Sequence, residues 1–333
     1  MHLRDASPQR KKIATILTFL SIPLSGFMTD IYLPSFPSMA RNLSVSEQSI
    51  QLTLTCFFLS YGFSQLFVGP VADSVGRRKP MLISLAVLLL SSLAVTFTGE
   101  VLVISLLRIV QGIATAFIVV AKRAYFVDLF DDEKRKHYLS YFTIVWSCGP
   151  IIAPFLGGFL EEHLGWQSNF YFLAIYAAIL FVGELVFSGE TIRNCKKFNL
   201  KKTGLLYLAM LKNPGFILGI AVLGCAYSVV MVFNIAGPFV VEQHFNYNAV
   251  IIGYCTLVLG FAWMIGGILS KRFTPVNFTK KIRLVSLTQL GLIGLFIGLG
   301  SMIDNLVLLV GFAFIVHICS GFVITNYFTQ NMV

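Results

Sequence analysis

The sequence predicts an all-α integral membrane protein with ten transmembrane helices. Hydrophobic residues make up 56% of the chain and charged residues only 12%, whereas soluble domains average about 45–50% and about 25%. The apolar residues form runs long enough to cross a bilayer, and the polar residues are concentrated between these runs. A transmembrane β-barrel would instead show alternating segments of about ten residues, and the sequence contains no such segments.

The individual helices follow from the apolar runs, because about 20 apolar residues span the hydrocarbon core. Ten stretches meet this length: 13–37, 48–71, 80–98, 101–124, 139–160, 169–187, 215–236, 249–270, 284–302 and 305–328. The longest polar stretch separates the first six spans from the last four. The sequence therefore predicts an N-terminal six-helix bundle over 1–187, a cytoplasmic linker over 188–214, and an incomplete four-helix C-terminal bundle over 215–333.

Basic residues predict the orientation, because Lys and Arg accumulate on the cytoplasmic side of a membrane. With the N-terminus inside, 23 of the 25 basic residues fall in the inside segments 1–12, 72–79, 122–138, 188–214 and 271–283. Both termini are therefore expected in the cytoplasm. This placement explains the net charge of +10 as an orientation signal, without any nucleic-acid partner.

The sequence contains no motif that is typical of an enzyme or of a cofactor site. The patterns HExxH, GxSxG and GxxxxGK[ST] are absent. The six cysteines occur singly, in no metal-ligand spacing. We therefore expect no catalytic residue, no metal and no cofactor.

Two charged residues stand out because they lie deep inside predicted spans, where a charge costs about 2.5–3.5 kcal/mol to insert. Asp30 is in the first span and Arg108 is in the fourth. At about 1.5 Å per residue, both lie about 10–12 Å below the outer surface, and opposite charges at matching depth predict a pair. The alternative to a functional pair is a structural ion pair that fixes helix packing.

Arg108 also heads a polar stripe on the fourth span. Helical spacing places five residues on one face: Ser105, Arg108, Gln111, Gly112 and Thr115. Polar groups that face lipid would lack partners, so we expect this face to line a wet cavity. For Gln111, a hydrogen bond between helices is an equally good interpretation.

Two further ionisable residues in the spans have less prominent predicted roles. Glu184 lies about a turn from the inner end of the sixth span, so we expect its carboxylate to reach the interface. His317 in the tenth span is expected to be a satisfied interior group, with proton relay as the alternative.

The loop between the second and third spans, GPVADSVGRRKP, needs more than the positive-inside rule to explain it. That rule accounts for Arg77 and Arg78 but not for Asp73. An acid at the C-terminus of a helix is badly placed in the helix dipole unless a cation covers it. Gly69 and Gly76 are expected to allow a close approach and a turn.

These five loop residues resemble the G-x-x-x-D-x-x-G-R-R signature of the major facilitator superfamily. RIVQGIATA, which contains Arg108 and Gln111, resembles the helix-4 motif of that superfamily. TDIYLPSFPSMA, AKRAYFVDLF and APFLGGFLEEHLGW resemble its bicyclomycin/chloramphenicol-resistance group of drug:proton antiporters. The fifth span resembles the helix-5 motif of the antiporters through Gly149, Pro150, Pro154, Gly157 and Gly158.

The resemblance implies a secondary active transporter that exports small amphiphilic compounds or drugs in exchange for protons, by alternating access. Asp30 would be the acid that responds to protons, and Arg108 would relay its protonation state. The residues expected to line the cavity are Tyr32, Gln111, Thr115 and Asn234. The loop signature would form a latch that closes the inner side.

The resemblance also implies a location in the bacterial inner membrane and a monomer whose partners are its substrate, protons and lipid. Ser74, Ala114 and Val127 depart from the usual family residues. The superfamily has twelve spans and this sequence has ten, so we expect a truncated form with little transport alone. The alternatives are a transport-inactive membrane protein and an exporter of an endogenous metabolite or siderophore.

Overall fold

The structure is a computed structural model, which describes residues 2–192, 195, 199–273, 275–299 and 304–330. Within them every regular element is helical, and the chain divides into two compact units, unit 1 (Met1–Thr203) and unit 2 (Gly204–Val333). Parts of the predicted linker (193, 194 and 196–198) and of the predicted ninth span (300–302) lie outside the described residues.

Eight helices build unit 1. They are α1 (Pro8–Ser21), α2 (Leu24–Asp30), α3 (Phe36–Asn42), α4 (Glu47–Val75), α5 (Arg78–Thr96), α6 (Val101–Leu129), α7 (Asp132–Leu164) and α8 (Gln167–Phe187). Helix α4 packs on α6, helix α5 packs on both α6 and α8, and α2 packs on α7. Helix α6 is thus at the centre of the unit.

The remaining helices belong to the second half of the chain. They are α9 (Leu200–Leu211), α10 (Pro214–Phe239), α11 (Ala249–Arg272), α12 (Phe278–Leu299) and α13 (Leu306–Gln330). A π-helical turn, Val240–His244, extends α10. In unit 2, α13 packs against α10, α11 and α12.

In the described residues, each of the ten predicted spans overlaps helical segments, and nine of them overlap a single helix, which confirms the helical membrane fold. Of the described residues, nine helical segments are long and apolar enough to cross a membrane. The predicted fifth span, 139–160, lies within α7, which is not one of these nine segments but is a continuous helix of 33 residues.

Polar side chains set where several helices begin, because the first N–H groups of a helix lack intrahelical acceptors. Ser7, Ser46, Asp131 and Asn248 each precede a helix, and each side chain accepts a hydrogen bond from the N–H three residues later. The short polar loops therefore end the spans as well as connect them.

The first span is not one helix, although the sequence predicted a single run over 13–37. Its segment Pro8–Asn42 is interrupted between α1 and α2, next to Pro23, and again by a 3₁₀ turn at Leu33–Ser35. Proline removes a backbone donor and clashes with the preceding turn, which explains both interruptions. The carbonyls at the end of α2 are therefore free for other donors.

Glycines let α7 approach the interrupted first span closely. A Cβ atom built on Gly149 would lie 2.6 Å from the Pro23 carbonyl oxygen, and one on Gly157 would overlap the Ile31 carbonyl. Pro150 and Pro154 lie inside the same helix without ending it. The predicted helix-5 motif is thus a packing surface of unit 1.

The two ends of unit 1 meet. The Leu3 N–H donates to the Glu190 carbonyl oxygen at 2.9 Å, and the Leu3 side chain is buried in a cluster with Tyr125 and Phe126. The segment that precedes α1 is thereby fixed to the segment that follows α8.

We predict that Gly157→Ala destabilises the protein by about 1–3 kcal/mol, because the new methyl group overlaps backbone that cannot move freely. Thermal unfolding of the detergent-solubilised chain measures this as a lower Tm. The matched control is Gly62→Ala on α4, where a Cβ meets no described atom within 4 Å. That control gains up to about 1 kcal/mol from helix propensity. Equal effects of the two changes would contradict the close packing.

Candidate functional site

Arg108 of α6 is fully buried in unit 1 and is held by polar groups from two helices. Its Nη2 donates to the Met28 carbonyl oxygen of α2 at 2.7 Å, and its Nη1 donates to Gln111 Oε1 at 2.8 Å. Met28 lies in the last turn of α2, where carbonyls lack helical donors. The interruption of the first span therefore supplies the acceptor for the buried cation.

Two aromatic rings lie against the same guanidinium. The Arg108 Cζ atom is 4.6 Å from the ring centroid of Tyr32 and 4.3 Å from that of Phe57 on α4. A desolvated cation–π contact is worth about 2 kcal/mol or more. The Tyr32 hydroxyl also shares a hydrogen bond with the Thr53 hydroxyl at 3.3 Å, which fixes the ring.

Asp30 is the last residue of α2 and is 5% exposed. Among the described residues, no ion pair joins it to Arg108, and the expected direct contact is wrong. The reason is the carbonyl of Met28, which takes the Arg108 donor two residues earlier on the same helix. The two charges still attract each other through space, although no ion pair joins Asp30 to Arg108.

The polar stripe of α6 is buried within unit 1 rather than facing a wet cavity. Gln111 Nε2 donates to the Ser92 hydroxyl of α5 at 3.3 Å, and the Thr115 hydroxyl donates to the Gln111 carbonyl at 2.7 Å. A Cβ on Gly112 would lie 2.6 Å from the Phe57 carbonyl oxygen. The stripe therefore joins α6 to its neighbours through hydrogen bonds and close packing.

Asn234, the fourth predicted cavity residue, lies on α10 in unit 2, where it is half-buried. The other three, Tyr32, Gln111 and Thr115, lie in unit 1. The described contacts thus bring together only the residues around Arg108.

The loop between α4 and α5 is held by paired charges. The Arg77 guanidinium donates to Asp73 at 3.0 Å and also forms an ion pair with Asp128 at the end of α6. Gly76 has φ +88°, in the region that favours glycine, and a Cβ there would lie 2.6 Å from a carboxylate oxygen of Glu190. At Gly69, by contrast, a Cβ would meet no described atom within 4 Å, so the expected close approach is wrong there.

Two arginines cover the end of α8. The Arg78 guanidinium donates to the Leu185 carbonyl at 2.9 Å. Arg10 reaches the carbonyls of Val186, Phe187 and Ser188. The C-terminus of a helix carries partial negative charge and unsatisfied carbonyls, so both cations stabilise it.

Glu190 is a structural centre of this region that the sequence analysis missed. Its carboxylate accepts the backbone N–H groups of Arg77 and Arg78, where α5 begins, and those of Thr191 and Ile192. Burial raises the pKa of Glu190, but the four hydrogen bonds together lower it by more than burial raises it. The pKa therefore lies below its ordinary value of 4.5. No local pattern marked Glu190, because its partners at the start of α5, Arg77 and Arg78, are more than one hundred residues away.

Lys122 and Glu184 form a buried ion pair, which corrects one prediction. Glu184 was expected to reach the interface, and Lys122 lies at the start of a predicted inside segment. Instead both side chains are almost fully buried, and the Lys122 Nζ atom also lies 3.4 Å from the Thr18 hydroxyl of α1. Helices α1, α6 and α8 thus meet around one charge pair.

His317 lies buried on α13 of unit 2. Its Nδ1 donates to the Ala313 carbonyl at 2.7 Å, while Nε2 has no hydrogen-bond partner among the described residues. One ring nitrogen of His317 therefore has a hydrogen bond within the described residues and the other does not, whereas both were expected from the sequence to have one.

In the described part of the chain, no group of three or more His, Cys, Asp or Glu side chains could hold a metal ion. Charged groups buried inside membrane spans are typical of proteins that move ions or substrates across a membrane.

The chain belongs to the Major Facilitator Superfamily, which it matches over residues 18–332. It is 27% identical over 333 residues to the "Uncharacterized MFS-type transporter YdgK" of Bacillus subtilis, which covers 97% of this chain and 82% of the relative. The family and fold predicted from the sequence are thus confirmed, and its members are transporters rather than enzymes.

A second relative is the "Bicyclomycin resistance protein homolog" of Haemophilus influenzae. It is 37% identical over 164 residues, which are 49% of this chain and 41% of the relative. The match spans less than half the length of either protein.

Among solved structures, the chain resembles a bacterial homologue of the human lysosomal transporter Spinster in an inward-facing, occupied conformation. The TM-score is 0.74 at 13% identity, over 97% of this chain and 75% of that chain. At this identity the likeness supports the fold alone.

We predict that Glu190→Gln lowers the Tm, because a neutral amide is a weaker acceptor for four N–H groups than a carboxylate. Since the folded-state pKa of Glu190 is lowered, its contribution is present above the ordinary pKa of 4.5 and is lost as the pH falls through the folded-state value. The variant should therefore lose the wild type's fall in Tm at acidic pH. Glu133→Gln, an exposed acid in the first turn of α7, is the control, and an identical pH profile in both variants would contradict the role.

Proposed function

We propose that the chain is a secondary active transporter that exports small amphiphilic compounds in exchange for protons. Family membership supports transport, and the bicyclomycin-resistance relative supports a drug-like substrate. One observation supports the proposal of proton coupling: Asp30 is buried near Arg108 but makes no ion pair with it.

This arrangement lets Asp30 exchange a proton without disturbing the arginine. Arg108 stays protonated, and its contacts are a carbonyl, an amide and two rings. Protonation of Asp30 therefore changes the charge of the site from zero to plus one, and no ion pair has to break. A bound cationic or polar substrate responds to that change through the field of Arg108.

We infer that Tyr32, Gln111 and Thr115 contact the substrate in a state that opens the site of unit 1. Alternating access would expose Asp30 to one side of the membrane at a time. The location that fits this role is the bacterial inner membrane with both termini in the cytoplasm, which the distribution of basic residues supports.

The charged network around Arg77 is proposed to be the latch of the transport cycle. Asp73, Arg77 and Asp128 join the ends of α4 and α6, and Gly76 makes the turn between α4 and α5. Arg78 extends the network to α8. Opening the inner side would then require these pairs to rearrange.

The function is tested in proteoliposomes with an imposed pH gradient, with the 333-residue chain and with a form extended by two superfamily-type helices. We expect the extended form to show counter-transport of protons with at least one member of a panel of amphiphilic compounds, including the lipophilic cation ethidium. A protonophore should abolish the accumulation. Absence of transport of every compound by the extended form, or transport that a protonophore leaves unchanged, would contradict the proposal.

We predict that Asp30→Asn lowers proton-driven transport by about tenfold or more, because the amide cannot take up a proton. Ligand binding, measured by quenching of intrinsic fluorescence, should survive, since the Arg108 contacts are not made by Asp30. Asp30→Glu is the control and should keep coupling with a shifted pH profile. Full proton-driven transport by Asp30→Asn would exclude the assignment.

We predict that Asp73→Asn slows transport and shifts the balance between inward-open and outward-open states, because Arg77 loses one of its two carboxylates. Accessibility of engineered cysteines to labels applied from either side measures this balance. Asp132→Asn, which removes a surface pair with Arg135, is the matched control. An unchanged labelling pattern in Asp73→Asn would show that the latch role is wrong.

A further inference from the structure

The Lys122–Glu184 pair is the buried charged group that the proposed transport mechanism leaves unused. Both side chains are almost fully buried, and they meet across α6 and α8. Lys122 and Arg108 are 14 positions apart on α6, which corresponds to about 21 Å along a helix. The pair is therefore a separate charged site from the one around Arg108 and Asp30.

One oxygen of this pair has no partner. Lys122 Nζ donates to Glu184 Oε1, whereas Glu184 Oε2 is buried without a hydrogen-bond partner among the described residues. An ionised carboxylate that is buried with a free oxygen is costly in a low-dielectric interior. A proton on Oε2 removes that cost and leaves the hydrogen bond to Oε1 in place.

The surroundings can support Lys122 after such a protonation. Its Nζ atom lies 3.4 Å from the Thr18 hydroxyl and 5.8 Å from the centroid of the Tyr125 ring. The lysine therefore keeps a hydrogen-bond acceptor and an aromatic face when the carboxyl is neutral. Proton uptake would change the net charge of the pair from zero to plus one.

Glu184 is also near the C-terminal end of its helix. It lies three residues before Phe187, the last residue of α8, which is about 4.5 Å of helix. The charged and titratable groups on the elements around it are Lys122 and Tyr125 of α6, Arg10 and Lys11 of α1, Arg78 of α5 and Tyr138 of α7. Among these groups, Lys122 contacts the carboxylate.

We propose that Glu184 is a second proton-binding group of the transport cycle and that Lys122 holds it in position. The bond that forms is the O–H bond at Oε2. The proton is taken up from water on one side of the membrane and released to water on the other side during the cycle. This role rests on the proposed proton-coupled transport, in which Asp30 and Glu184 would load and release protons at different depths.

Infrared difference spectroscopy of the full chain in liposomes tests proton binding without any substrate. On acidification the wild type should show a protonated-carboxyl C=O band that Glu184→Gln lacks and Asp30→Asn retains. Glu184→Asp should keep a band with a shifted pH midpoint, which protects the test if the glutamine variant does not fold. An acid-induced band that is the same in the wild type and in Glu184→Gln, or in Glu184→Asp if glutamine prevents folding, would overturn the proposal.

Transport measurements separate proton binding from a structural role. Glu184→Gln should lower proton-driven transport by about tenfold or more. The double variant Lys122→Met/Glu184→Leu removes both charges of the pair, and its transport should still not respond to the proton gradient. Buried ion pairs that are only structural tolerate such replacement, so full coupling in the double variant would overturn the proposal. If the extended form transports no compound, the proposed function fails, while the infrared result still decides whether Glu184 binds a proton.

Discussion

The burial of the Arg108 guanidinium is the constraint on which the architecture of unit 1 depends. An arginine inside a span is tolerated only where protein groups replace water. Here the replacement is a helix-end carbonyl, a glutamine and two aromatic rings. Each of these requires something of the chain: α2 must end near Met28, and α4 must approach α6 closely at Gly112.

Unit 1 contains two different solutions to the problem of a buried cation. Arg108 is neutralised by dipoles and rings, while the carboxylate of Asp30 stays apart. Lys122 is neutralised directly by Glu184, whose second oxygen is then left alone. The first solution leaves a buried carboxylate outside any ion pair with the cation, and the second leaves one carboxylate oxygen without a hydrogen-bond partner among the described residues. In the proposed mechanism, both oxygens would bind protons in a region that water does not reach freely.

Hydropathy was sufficient to predict the helices, and charge inside a span was sufficient to find Asp30 and Arg108. Neither signal was sufficient to predict how Asp30 and Arg108 are placed relative to each other. The end of α2 and the rotation of α6 about its axis decide which group of the first span contacts the Arg108 guanidinium. Lys122 and Glu184 were missed for a similar reason. Each lies near the end of a span, where hydropathy cannot distinguish an inward side chain from one that reaches the interface. Glu190 was missed because its partners at the start of α5 are remote in sequence.

The hydrogen bond between Leu3 and Glu190 has a consequence for biosynthesis. The two residues are brought together only after all six spans between them have been made, so the loop they close is one of the longest in the unit. Translation delivers Glu190 last, and with it the carboxylate that covers the start of α5. The first half of this protein therefore completes its fold when the ribosome has passed the sixth span, and until then the start of α5 has no acceptor from Glu190.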